Sequence, residues 1–199
     1  RILRKLGFAV KELFSEPDGT FPNHHPDPTL LEALDVLRSQ ISTQGADVGI
    51  AFDGDADRIG VLDQEGKVIW GDMLLLIIGR AVIEEWKRGG EKGEPPLIIS
   101  EVKASNLLYE GIRKAGGRAL MWKTGHSLIK AKIKETGALL AGEMSGHLFF
   151  ADRYYGYDDA LYGALRLLEI HVAALTKNPR RRFSDLLGDL PEVVSTPEI

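Results

Sequence analysis

Val48-Gly49-Ile50-Ala51-Phe52-Asp53-Gly54-Asp55-Ala56-Asp57-Arg58-Ile59-Gly60-Val61-Leu62 is the stretch that decides the fold. An apolar run of strand length enters a short loop and a second apolar run leaves it, which predicts a buried strand with the loop at its carboxyl end. Three carboxylates, Asp53, Asp55 and Asp57, alternate in that loop with the small residues Gly54 and Ala56, and Arg58 follows. Like charges so close repel one another, and unless positive charge sits among them some stay protonated at neutral pH. Oxygen-only ligation on a loop of small residues is how Mg²⁺ and Ca²⁺ are held, and Mg²⁺ keeps positions for water or a substrate phosphate. The pattern predicts a Mg²⁺ site at Asp53, Asp55 and Asp57, with a solvated acidic turn as the plain alternative. An EF-hand is excluded, because Arg58 and Gln64 stand where it needs Gly and Glu, and a strand-like run follows where it would start a helix.

The rest of the chain bounds the function. With 199 residues and 44% hydrophobic content it can bury one large core or two modest ones, and two is the reading adopted. A net charge of −4 without a long basic run gives no support for nucleic-acid binding. Cysteine is absent, so disulfides, thiolate metal sites and a cysteine nucleophile drop out, which suits a cytoplasmic protein. The longest apolar run, Met73-Leu74-Leu75-Leu76-Ile77-Ile78, is far too short to span a bilayer, so a soluble protein without membrane partners is expected. The chain begins at Arg1 without a methionine and ends as a new extended segment starts at 195–199, and it reads as cut from something longer.

Local patterns predict a helix end over 1–6 closed by Gly7, a strand over 8–13, a long loop over 15–28 and a helix over 29–40 whose Leu30, Leu31, Leu34 and Leu37 share one face. After the aspartate loop, 59–62 and 67–70 flank a turn as an antiparallel hairpin, making the sheet mixed. Asp72 caps a helix reaching Arg88, and 89–96 is a polar loop. Alternation then becomes regular: strand 97–100, helix 106–115, strand 118–122, helix 127–136, strands 138–141 and 148–150, helix 158–175. The expected fold class is α/β, with two α/β/α domains and mixed, mostly parallel sheets. The expected boundaries are 1–68, 69–187 and a linker over 188–199; Arg180-Arg181-Arg182 reads as a solvated cluster at a helix end.

Three loops at predicted strand ends carry chemistry: Glu101-Val102-Lys103-Ala104-Ser105, Lys123-Thr124-Gly125-His126-Ser127 and Gly142-Glu143-Met144-Ser145-Gly146-His147. Lys103 alone reads equally as a solvated lysine, and His126 as part of a helix start capped by Ser127. In an extended segment Glu143, Ser145 and His147 point to one side, a geometry suited to vicinal hydroxyls.

These loops, in this order, resemble those of the α-D-phosphohexomutase superfamily, and most closely its bacterial phosphomannomutase/phosphoglucomutase subgroup. Phe21-Pro22-Asn23-His24-His25-Pro26-Asp27-Pro28 and Tyr155-Gly156-Tyr157-Asp158-Asp159-Ala160 fit the same subgroup. The resemblance covers nearly the whole chain and implies the second and third of four domains, with the first and fourth absent. It implies a phosphoryl transfer between the 1- and 6-positions of hexose phosphates, mannose or glucose, through phosphoserine and a bisphosphorylated sugar. Asp53, Asp55 and Asp57 would bind Mg²⁺, and Glu143 and Ser145 would grip the sugar's O3 and O4. Arg58, Lys103, His126 and His147 are the candidates for phosphate contact and proton transfer, their individual roles left open. Met144 marks the mannose and glucose subgroup. Ala56 departs from a position where Gly is common, which matters only if that residue needs a positive φ. A non-catalytic sugar-phosphate or divalent-ion binding module remains the alternative, and a phosphatase using one aspartate as nucleophile a third.

Overall fold

A computed structural model describes residues 1–191. Its first sheet has three antiparallel strands in the order β1 (Val48–Phe52), β2 (Ile59–Asp63), β3 (Val68–Ile69). The hairpin over 59–70 is as expected, whereas the pairing around the aspartate loop is antiparallel, Phe52 opposite Ile59. Since β1 and β2 are consecutive and joined by only six residues, no crossover is available to make them parallel. The mixed character lies in the second sheet, ordered β5 (Arg118–Trp122), β4 (Leu97–Glu101), β6 (Leu140–Gly142), β7 (Leu148–Phe150), with only the β6–β7 pair antiparallel.

Alternation along β4 assigns its two faces. Ile98 joins a core built from α3 (Gly71–Arg88), α4 (Asn106–Ala115) and α6 (Ala160–Lys177), whereas Ile99 meets α5 (His126–Thr136) through Ile129 and Ile133. The sheet is thus covered on both faces, the α/β/α arrangement expected. Because α4 leaves β4 on one face and α5 leaves β5 on the other, a crevice opens between the loops that follow these strands. The larger core also takes in Ile59, Val61 and Ile69, so apolar packing runs continuously from the first sheet into the second unit.

Several local expectations give way. Residues 8–13 form no strand, because no described strand lies alongside to satisfy their backbone; Arg4 instead donates to Val10 O and pairs with Glu12. The helix expected over 29–40 is delayed. Asp27 accepts from the Thr29 backbone and hydroxyl at 2.9 and 2.7 Å, Leu30 stays extended, and a 3₁₀ turn over Leu31–Leu34 leads into α2 (Asp35–Gln44), ended by Gly45 at φ +63. Leu30 and Leu31 are consequently exposed while Leu34 is buried. Strand β1 is half-buried rather than buried, since it lies at the sheet's edge, and β2 in the middle is buried throughout. Trp70, not Asp72, caps α3; Asp72 lies in the first turn, buried, accepting from Met73 N and Ser105 N. Gly125 precedes α5 where Ser127 was expected as cap, and Asp159 caps α6 by accepting from Tyr162 N at 2.8 Å. Of the expected linker, only 188–191 falls among the described residues, and the segment at 195–199 lies outside them. Among the described residues no helix is long and apolar enough to cross a membrane.

Candidate functional site

The aspartate loop is tied down by its own first carboxylate. Asp53, 8% exposed, accepts from the backbone N–H groups of Asp57 and Arg58 at 3.1 Å each, and from Arg58 Nε at 2.8 Å. Arg58 reaches on to Asp27 at 3.1 Å, so its guanidinium is pinned between two acids. The turn this creates places Ala56 at φ +61, a left-handed conformation in which its methyl is a steric burden. The alanine is therefore not a neutral stand-in for glycine here. Its carbonyl accepts from Ala160 N at 3.2 Å, joining the loop to the start of α6.

One oxygen each from Asp53, Asp55 and Asp57 lies within 4.8 Å of the others. Burial, first, and the charges of Asp53 and Asp55 push the Asp57 carboxyl above its ordinary pKa against the pull of His147. For Asp53 burial acts upward too, but the Arg58 backbone and side chain and Asp57 together hold it low. Asp57 Oδ1 is buried without a hydrogen-bond partner. A clash of like charges beside an unsatisfied buried oxygen, on an oxygen-only donor set, fits a hard divalent cation.

The turn joining β6 to β7 stands directly against this loop. Residues 143–146 form a tight turn closed by Glu143 N to His147 O and Gly146 N to Glu143 O at 3.0 and 3.1 Å, where an extended segment was expected. Two antiparallel strands this close leave no room for extended chain between them. Arg58 and His147 pair as an antiparallel bridge, and Ile59 N donates to Gly146 O at 3.1 Å. A Cβ on Gly146, which sits at φ +96, would lie 2.3 Å from Ile59 O, and one on Gly71 would lie 2.1 Å from Glu143 O. Only glycine lets backbone approach so closely at these two positions.

The turn still gathers the side chains that alternation suggested. Glu143 is buried, accepting from Gly125 N at 2.7 Å through Oε1 and facing His147 Nδ1 at 2.9 Å through Oε2. Ser145 Oγ lies 2.9 Å from the same Nδ1, while His147 Nε2 points to Asp57 Oδ1 at 3.3 Å. Burial opposes the charged forms of both, yet His147, Gly125 and His126 together hold the Glu143 pKa low, and Glu143, Asp57 and Asp158 together raise that of His147. His126 opens α5, more than half exposed, its ring stacked on that of His147 with centroids 6.1 Å apart. Lys103 lies exposed on the turn between β4 and α4.

Two residues the sequence reading passed over hold this arrangement together. Glu101 is 1% exposed; its carboxylate accepts from Thr124 Oγ1 and from Met144 N at 2.8 Å, and its carbonyl from Tyr109 Oη at 2.6 Å. It thereby ties the end of β4 to α4, to the loop after β5 and to the 143–146 turn, across the crevice. The available signal was an acid closely following the apolar run 97–99, since a carboxylate carried inward by a buried strand must find donors. Asp158 is the other, its side chain 7% exposed and paired with Lys130 at 2.7 Å. It sits in a segment quoted above for its resemblance, without a role of its own.

The profile of the family described as "Phosphoglucomutase/phosphomannomutase, alpha/beta/alpha domain II" matches residues 1–66, and that of domain III matches residues 70–193. The chain is 48% identical over all its 199 residues to a phosphomannomutase/phosphoglucomutase of Pseudomonas putida, and 46% identical to a phosphoglucomutase of Neisseria gonorrhoeae. It spans about 40% of the length of each. A crystal structure of a phosphoglucomutase/phosphomannomutase family protein from Burkholderia thailandensis superposes with a TM-score of 0.87 at 46% identity, over 98% of this chain and 40% of that one.

Proposed function

Because the chain belongs to the phosphoglucomutase/phosphomannomutase family, whose domains II and III it matches, we propose that it supplies the metal loop and the sugar-holding turn of a phosphohexomutase. The reaction is the interconversion of hexose 1-phosphate and 6-phosphate, mannose or glucose, through phosphoserine and a bisphosphorylated intermediate. The serine loop and a further phosphate loop come from first and fourth domains outside these residues, and the residues by themselves do not turn over. A cytoplasmic setting belongs to the same proposal.

Asp53, Asp55 and Asp57 hold Mg²⁺, which when bound offsets the negative charge spread over a transferring phosphoryl group. Arg58 and Lys103 bring fixed positive charge to phosphate oxygens, and catalysis of this class consists mostly of such positioning. His147, oriented through Nδ1 by Glu143, presents Nε2 for proton transfer; His126 and Lys103 are the other groups able to serve. Glu143 and Ser145 receive the sugar hydroxyls, each carboxylate oxygen keeping acceptor capacity beyond its present partner.

The observation that carries this reading is the bridge between Arg58 and His147, which joins the aspartate loop to the Glu143 turn by backbone alone. It supports the reading because it keeps the aspartates beside Glu143 and Ser145 through backbone pairing, to which the His147–Asp57 contact at 3.3 Å adds. The test is the intact protein with Mg²⁺ and a hexose 1,6-bisphosphate activator, followed on mannose 1-phosphate and on glucose 1-phosphate. Formation of a 6-phosphate from at least one is expected; no product from either sinks the proposal.

A further inference from the structure

We propose that Asp57, His147 and Asp158 form a second cation site, one imidazole nitrogen and two carboxylate oxygens, that takes borderline divalent cations such as Zn²⁺ rather than Mg²⁺. One ligand atom from each lies within 4.8 Å of the others. Ligands bound at about 2 Å to one tetrahedral ion stand roughly 3.3 Å apart, so a small inward movement closes the set. The 3.3 Å between Asp57 Oδ1 and His147 Nε2 already has that spacing.

Two independent features point to a cation. The Asp158 side chain is more than nine-tenths buried, and its Oδ2 has no hydrogen-bond partner although Lys130 holds Oδ1. Asp57 Oδ1 is likewise buried and accepts no hydrogen bond, with His147 Nε2 3.3 Å from it. The other feature is the far side of that ring. His147 Nδ1 lies 2.9 Å from Glu143 Oε2 and 2.9 Å from Ser145 Oγ, and Glu143 is itself fixed by Gly125 N. An Nδ1–H donated to a carboxylate leaves the lone pair on Nε2, which is how histidines that bind metals are oriented.

Local charge favours binding. Asp53, Asp55, Asp57, Glu143 and Asp158 face Arg58 and Lys130, an excess of negative groups, with His126 Nδ1 3.9 Å from Asp158. Donor chemistry separates the two sites. Three aspartates offer oxygen only and suit an ion that keeps its waters, whereas three protein ligands that include a nitrogen, with a water as the fourth, suit Zn²⁺ or Co²⁺. Asp57 is common to both. A cation on Nε2 also removes His147 as a proton carrier, so Zn²⁺ is expected to inhibit the reaction proposed above, although the site itself does not rest on that reading.

The test is calorimetry and Co²⁺ absorption on the intact protein in excess Mg²⁺. The native protein should bind Zn²⁺, and its Co²⁺ adduct should show the intense visible bands of a four- or five-coordinate ion. Asp158→Asn and His147→Gln should each weaken Zn²⁺ by at least about tenfold, as loss of groups in and around metal sites does, with Mg²⁺ affinity changed less than about twofold. Asp55→Asn should weaken Mg²⁺ and spare Zn²⁺, which separates failure of the aspartate site from failure of this one. Zn²⁺ affinity that survives Asp158→Asn and falls only with Asp55→Asn, or a Co²⁺ spectrum of the weak octahedral type, overturns the proposal.

Discussion

The aspartate loop and the crevice around Glu101 and Glu143 are both acidic, yet they are built on opposite principles. In the crevice every carboxylate oxygen meets a donor or a ring nitrogen: Thr124 and Met144 for Glu101, Gly125 and His147 for Glu143. In the loop, three carboxylates crowd together, Asp57 Oδ1 is buried without a hydrogen bond although His147 Nε2 lies 3.3 Å away, and Ala56 holds a left-handed conformation. Charge in the first region is a fastener, worth keeping without any ligand. Charge in the second is a standing conflict that a cation relieves, so removing a carboxylate should have opposite effects on the two.

The largest expected effect comes from the close approach of the start of α3 to the crevice turn. Gly71→Ala sets a methyl against Glu143 O at 2.1 Å, where backbone rather than a flexible side chain must yield. Thermal unfolding should report a loss of about 3 kcal/mol, the upper end for overpacking. A melting temperature within error of the native one would show that the turn is softer than its packing implies.

Next is Glu101→Ala, which strands the Met144 N–H and the Thr124 hydroxyl; urea unfolding should show a loss of about 2 kcal/mol, with Glu101→Gln recovering part through its remaining acceptor. Equal stability of the alanine variant would mean that the crevice carboxylates are not fasteners. Asp55→Asn runs the other way. Mg²⁺ affinity by calorimetry should fall by at least about tenfold, the loss known even for residues that only orient metal ligands. The metal-free protein should at the same time gain roughly 0.3 kcal/mol from reduced repulsion. A loss of metal-free stability would erase the contrast between the regions.

Ala56→Gly relieves the positive φ but adds freedom to the unfolded chain, and the balance should be a gain of about 0.5 kcal/mol in urea. The smallest effect is a pH dependence. His147 has a raised folded pKa, so its contribution is whole below the unfolded value of about 6.5 and is lost as pH rises through the folded one. Metal-free stability should decline across that window, and His147→Gln should flatten the decline.

Much of this was written in the chain's local patterns. Alternation and length located β4, β5, β7, α4 and α5 to within a residue or so, because a strand or helix buried on a known face must repeat apolar residues at its own period. The gathering of the three aspartates was legible because they stand in one short loop. What lacked a local signature was missed. Residues 8–13 have strand composition but no described neighbour to pair with, and Asp27 draws Thr29 into a side-chain turn that delays the helix. The φ of Ala56 follows from how Asp53 folds the loop over itself, a contact that spacing alone does not reveal.

The sequence by itself determined the element types, the α/β class and the set of polar groups offered at strand ends, since these depend on residues near one another in the chain. Tertiary structure alone decided which of those groups meet. Glu101 became a tie, Asp158 a neighbour of His147, and Gly71 and Gly146 contact points because residues from distant segments close on them. The physical reason is that burial and hydrogen-bond satisfaction belong to the assembled core, whereas propensity and periodicity belong to the local chain.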